Sequence, residues 1–139
     1  MTEEEYGSYV LDPSVVAVVA GTDFEFNYRK LCIATLYITV GNCKFLGSNP
    51  DRNSGNESRV IPGGGVVINT IENGSGVTAP IYGKPSKRLF DLLRQQHGLE
   101  NEPLSKFLMV GDNLETDIMF ARNNKIDSLL VLSGVTSET

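Results

Sequence analysis

The chain has 139 residues, 40% of them hydrophobic and 21% charged, a globular composition of single-domain length that lies outside the disordered class. A formal net charge of −5, with the basic residues scattered, excludes a nucleic-acid partner, which would require a basic face. Two cysteines, Cys32 and Cys43, are too few for a disulfide framework or a zinc site. No apolar run is long enough to span a membrane and Met1-Thr2-Glu3-Glu4-Glu5 is no secretory signal, so a reduced, cytoplasmic protein is expected.

In chain order, residues 1–13 are polar and contain a proline, which predicts a loose end. A strand is predicted over 14–20, a helix over 27–40 and a second strand over 43–47. The stretch 48–59 is rich in Asn, Ser, Gly and charge and has no apolar periodicity; it reads as a long loop, and such loops often carry function. Gly63-Gly64-Gly65 lacks the Lys-Ser/Thr of a phosphate-binding loop and reads as a tight turn into a helix over 64–73. The dip Asn73-Gly74-Ser75-Gly76 places a domain boundary before a strand over 78–82. Ser86 is the N-cap of a helix over 86–97 that ends at Gly98, with His97, the sole histidine, in a helix-end role. A strand over 106–110, a helix over 115–125 and a strand over 129–132 complete the chain. Strict alternation of strand and helix with short connections predicts parallel sheets joined by right-handed crossovers.

The residues with chemistry gather at predicted strand ends. Asp112 follows the apolar run Phe107-Leu108-Met109-Val110 at the carboxyl end of its strand, the edge where open α/β sheets bind ligands. Asp117 lies about one helical turn behind it, in a position that the helix macrodipole also favours. Lys84, between Gly83 and Pro85, ends the preceding strand on the same edge. An ammonium with one or two carboxylates there suits a divalent cation together with a phosphate. Carboxylate oxygens bind hard cations, and the lysine offsets charge on phosphoryl oxygens.

Gly83-Lys84-Pro85-Ser86 and Val110-Gly111-Asp112-Asn113-Leu114-Glu115-Thr116-Asp117-Ile118 resemble motifs III and IV of the haloacid dehalogenase (HAD) superfamily. Within it they resemble the 4-nitrophenylphosphatase, phosphoglycolate phosphatase and pyridoxal phosphatase branch. Val18-Val19-Ala20-Gly21-Thr22-Asp23 with Tyr28 and Leu31, Phe45-Leu46-Gly47-Ser48-Asn49-Pro50-Asp51 and Pro62-Gly63-Gly64-Gly65 are similar to that branch's cap domain. Leu132-Ser133-Gly134-Val135-Thr136 extends the likeness, collinear from about Val15 onward.

The resemblance implies an α/β chain in which residues 14–77 form most of a C2-type α/β cap and residues 78–139 the C-terminal part of a HAD-like catalytic core. It implies a magnesium-dependent phosphomonoester hydrolase acting on a small phosphorylated metabolite through an aspartyl-phosphate. In that reading Lys84 contacts phosphate and nucleophile, and Asp112 binds Mg2+. Asn113 and Asp117 support the metal site from behind, while Asn49 and Asp51 in the cap loop meet the substrate. Arg52-Asn53-Ser54-Gly55 offers no aromatic or histidine, which weighs against pyridoxal phosphate.

One motif departs from the family. The nucleophile there is the first aspartate of Asp-x-Asp-Gly-Thr, and no such motif occurs in this sequence. Asp23-Phe24-Glu25 imitates it after a strand but has Gly-Thr on the wrong side, and reads as cap structure; an enzyme of another class built on it is the weakest reading. The chain therefore reads as a C-terminal fragment, inactive alone, of a phosphatase. The rival is a truncated HAD-like binding or interaction protein without catalysis. Missing neighbouring strands would leave an edge or apolar face uncovered and favour a homo-oligomer.

Overall fold

The structure is a computed structural model that describes residues 2–56 and 59–137. Its contacts divide the chain into two compact units, Met1–Ile81 and Tyr82–Thr139.

In the first unit, α1 (Glu3–Gly7) precedes β1 (Ala17–Ala20), α2 (Tyr28–Thr39) and β2 (Lys44–Gly47); an antiparallel hairpin of β3 (Asn53–Asn56) and β4 (Arg59–Pro62) follows, then α3 (Gly64–Ser75). β1 and β2 pair in parallel, with Val18 opposite Phe45 and Ala20 opposite Gly47. Asn27 starts α2, its side chain accepting the Lys30 amide at 3.0 Å. Against one side of the strands pack Ile38 of α2 and Ile68 and Ile71 of α3, which with Ala20, Phe45 and Ala79 make the buried core of this unit. α3 has no side-chain cap, because its entry is crowded by backbone: a Cβ on Gly63 would meet the Asp51 carbonyl, and one on Gly65 the Pro50 carbonyl. The glycine run is thus a tight turn. Gly76, at φ 71°, closes the helix in the left-handed region.

In the second unit, α4 (Lys87–Gln96) is followed by a short 3₁₀ turn, β5 (Leu108–Gly111), a π-helical turn over Leu114–Ile118 that runs into α5 (Met119–Asn124), and β6 (Asp127–Leu130). Ser86 caps α4, its hydroxyl accepting the Arg88 amide, and His97 closes it before Gly98 at φ 66°. β5 and β6 are parallel, with Val110 opposite Leu129. The core here is aromatic: Phe107 and Phe120 meet buried Phe90 edge-on at centroid distances of 5.1 and 6.0 Å. The Arg94 guanidinium lies over Phe90 and Phe107 and donates to the carbonyls of Leu99, Glu100 and Glu102.

Four expectations change. Residues 1–13 are not wholly loose, since Thr2 and Glu5 form a reciprocal capping box that starts α1. The loop expected over 48–59 contains β3 and the start of β4, so the pairing is not parallel throughout; Glu57 and Ser58 lie outside the described residues. The strand expected over 78–82 is a single bridge between Ile81 and Gly47, because Pro80 has no N–H and contributes only its carbonyl, which accepts the Gly47 amide at 3.0 Å. The last strand runs from Asp127 to Leu130, two residues earlier than expected.

Candidate functional site

β5 delivers Gly111-Asp112-Asn113 to the carboxyl end of the second unit's sheet. There the Asn113 side chain accepts the amides of Glu115 (2.9 Å) and Thr116 (3.3 Å), and its carbonyl accepts those of both Asp117 (2.9 Å) and Ile118 (3.2 Å). The resulting turn is wider than an α-turn and brings Asp117 back over the loop. Its Oδ2 accepts the backbone amides of Asp112 at 3.1 Å and Asn113 at 3.2 Å. Gly111 makes this possible, since a Cβ there would collide with the Asp117 carboxylate.

Asp117 is buried, 3% exposed, and its Oδ1 accepts from Lys84 Nζ at 2.5 Å. Burial raises its pKa, but the Lys84 ammonium and the two loop amides outweigh burial and hold the carboxyl below its ordinary value of 3.8. The Lys84 side chain remains 44% exposed although its ammonium is bound by Asp117. Its backbone is held between the Ser86 N–H to Gly83 carbonyl bond (2.9 Å) and the Asn123 amide donating to the Pro85 carbonyl (2.9 Å).

Asp112 is half-buried. Its Oδ2 accepts the Val135 amide at 2.7 Å and its carbonyl accepts the Thr136 amide at 3.0 Å. Lys84, Asp112, Asn113 and Asp117 therefore form one connected group. Asn49 and Asp51 lie in the other unit, at the end of β2, bonded to one another: the Asn49 amide donates to Asp51 Oδ2 at 2.5 Å, and Asn49 Oδ1 accepts from the Ser48 hydroxyl at 2.9 Å. Asp23 pairs with Lys30 Nζ at 2.6 Å and accepts the Glu25 amide, as a helix-entry turn does. The segment 133–136 holds Asp112 although the sequence marked it only as an extension of the family likeness; the available signal was Gly134 just beyond a strand on the same edge.

The donor chemistry fits a hard divalent cation in part. Asp112 Oδ1 has no hydrogen-bond partner among the described residues, and a Mg2+ site commonly uses one or two carboxylates with water and substrate phosphate for the remainder. Asp117 is committed to Lys84 and the loop amides. Among the described residues no group of three His, Cys, Asp or Glu side chains gathers to hold a metal.

The stretch that carries this β-α-β frame is similar to known proteins. Residues 81–139 match the HAD-hydrolase-like family model. Over that stretch the chain is similar to the HAD-like hydrolase family. Within it, the likeness is to the branch of small-molecule phosphatases. Glycerol-3-phosphate phosphatase of Rattus norvegicus is 38% identical over 91% of this chain and 39% of its own length, and phosphoglycolate phosphatase 2 of Arabidopsis thaliana is 38% identical over 92% and 42%. Among solved structures, a thermostable NPPase from Geobacillus stearothermophilus superposes with a TM-score of 0.77 at 30% identity, covering 92% of this chain and 50% of that one. A glycerol phosphate phosphatase from Mycobacterium tuberculosis, in complex with calcium, gives 0.72 at 30% identity, covering 87% and 34%. The chain spans about two fifths of the length of these curated relatives. Among the described residues no helix is long and apolar enough to cross a membrane.

Proposed function

We propose that this chain supplies the cation- and phosphate-binding part of a phosphomonoester hydrolase acting on a small phosphorylated metabolite. The observation that carries the reading is the linkage of Lys84 to the Asp112 loop through one buried carboxylate, Asp117. That linkage fixes a cation-attracting oxygen and an anion-attracting ammonium in one rigid group, the arrangement a metal-bound phosphate ester requires.

Magnesium is the cofactor this reading calls for; bound, it would polarise the phosphoryl group. Asp112 would hold it and Asn113 would order the loop beneath. Lys84 would bind a phosphoryl oxygen through its ammonium, and Asp117 would keep that ammonium aimed. Residues 14–77 read as cap and residues 78–139 as catalytic core, with Asn49 and Asp51 in the part of the cap that meets the leaving group. Formation of an aspartyl-phosphate needs the Asp-x-Asp-Gly-Thr nucleophile, which this sequence does not contain. The alternative reading is a HAD-like binding protein that retains the fold without turnover.

Co-expression with the Asp-x-Asp-Gly-Thr-containing segment of a relative, followed by assay on glycerol phosphate and 4-nitrophenyl phosphate, tests the proposal. Magnesium-dependent hydrolysis lost in both Lys84→Ala and Asp112→Asn supports it. A folded complex with intact Lys84 and Asp112 but no turnover favours the binding protein.

A further inference from the structure

Two consecutive amides beyond β6 are spent on one residue. The Val135 N–H donates to Asp112 Oδ2 at 2.7 Å and the Thr136 N–H to the Asp112 carbonyl at 3.0 Å, so side chain and main chain of Asp112 are gripped together. The Val131 N–H, bonded to the Gly111 carbonyl at 2.9 Å, continues the pairing of β5 and β6 up to this grip. Between them sits Gly134, where space decides the residue: a Cβ would overlap Asp112 Oδ2 and lie 2.6 Å from its Cγ. Any other L-residue at 134 therefore displaces either the turn or the Asp112 carboxylate. Gly134 itself is exposed, so folding of the unit does not account for this close approach.

We infer that the turn over residues 133–136 is a positioning clasp for Asp112, in which the Val135 amide holds one carboxylate oxygen and Gly134 allows the approach, leaving Oδ1 to ligate the cation. The inference rests on the proposed role of Asp112 as a cation ligand. It adds Gly134 and Val135 as positioning residues that act through Asp112, by main-chain atoms and by the absence of a side chain. Outer contacts of this kind orient a ligand and tune its affinity, and their loss commonly weakens metal binding by about 10- to 100-fold.

The test is Mn2+ binding to the 139-residue chain, followed by water-proton relaxation, together with the amide proton shift of Val135 by NMR. Variants are Asp112→Asn, Gly134→Ala, Val135→Pro, which removes the donor N–H, and Val135→Ala, which keeps it. Expected are loss of binding in Asp112→Asn, weakening by about tenfold or more in Gly134→Ala and Val135→Pro, and wild-type binding in Val135→Ala. The Val135 amide resonance, shifted downfield by the carboxylate, should move upfield in Asp112→Asn with no metal present. Binding that is abolished in Asp112→Asn yet unchanged in both Gly134→Ala and Val135→Pro overturns the clasp and leaves Asp112 as the ligand. A Val135 amide indifferent to Asp112→Asn also overturns it. Mn2+ binding indifferent to Asp112→Asn, or none in the wild type, overturns the cation-ligand reading, and the clasp as a metal-positioning device with it.

Discussion

Lys84 Nζ and Asp117 Oδ1 stand 2.5 Å apart although 33 residues separate them in the chain, and the same carboxylate also accepts two amides from the Asp112 loop. Removing the carboxylate strands three donors at once. Asp117→Ala should lower the unfolding free energy by about 2–4 kcal/mol, between the loss of a charged hydrogen bond and that of a buried ion pair, because Lys84 keeps access to water. Lys84→Met should cost less than Asp117→Ala, since the amide bonds to Asp117 survive. Urea denaturation of the three proteins checks the order; equal costs would show that the loop amides contribute nothing.

Acid should weaken the molecule at this same residue. The folded-state pKa of Asp117 is depressed, so its stabilisation is fully present above the ordinary 3.8 and is lost as pH falls through the lower folded value. Wild-type stability should therefore fall more steeply below pH 3.8 than that of Asp117→Asn, which has no carboxylate to protonate. Thermal midpoints across that range measure the difference, and parallel curves would remove Asp117 from the acid response.

Alone, the chain should hydrolyse 4-nitrophenyl phosphate no faster than a blank, even with millimolar magnesium, because without the nucleophile no phosphoenzyme forms. Turnover that survives repurification and disappears in Lys84→Ala would reveal a nucleophile among these residues.

An apolar face of the β5–β6 sheet is open. Leu108, Val110 and Leu129 are 59%, 52% and 51% exposed, with Val110 directly opposite Leu129. Such a face favours self-association, and a dimer or larger species is expected at working concentrations despite the negative net charge. Light scattering after size exclusion should show it, and Val110→Lys should return the chain to monomer. A wild-type monomer at high concentration would mean that the face is satisfied without a partner copy.

Where the sequence spoke through long, patterned elements, it was legible. Helices α2, α3 and α4, the parallel strands around Phe45 and Val110, and the placing of Asp112 at a strand end all follow from apolar periodicity, Ser86 as a cap, and glycine as punctuation. What escaped lies where pattern is absent. β3 is Asn-Ser-Gly-Asn, and no alternation of apolar and polar residues announces it. Pro80 silenced a strand whose apolar neighbours promised one. The bond between Lys84 and Asp117 and the grip of 135–136 on Asp112 are contacts across the fold, and spacing along the chain does not encode them.

The wide turn at Leu114–Ile118 sets an angular phase for everything that follows it. An α-helix advances about 100° per residue, and the π-turn holds one residue more than an α-turn over the same arc. Winding the same residues as ordinary α-helix, with none removed, would rotate the remainder by about that angle. Asp117 would swing away from Gly111 and Lys84, while Phe120 and Ala121, now buried at 4% and 1% exposure, would turn from the core. One residue of chain length thus sets the aim of a charge and the seat of a helix together.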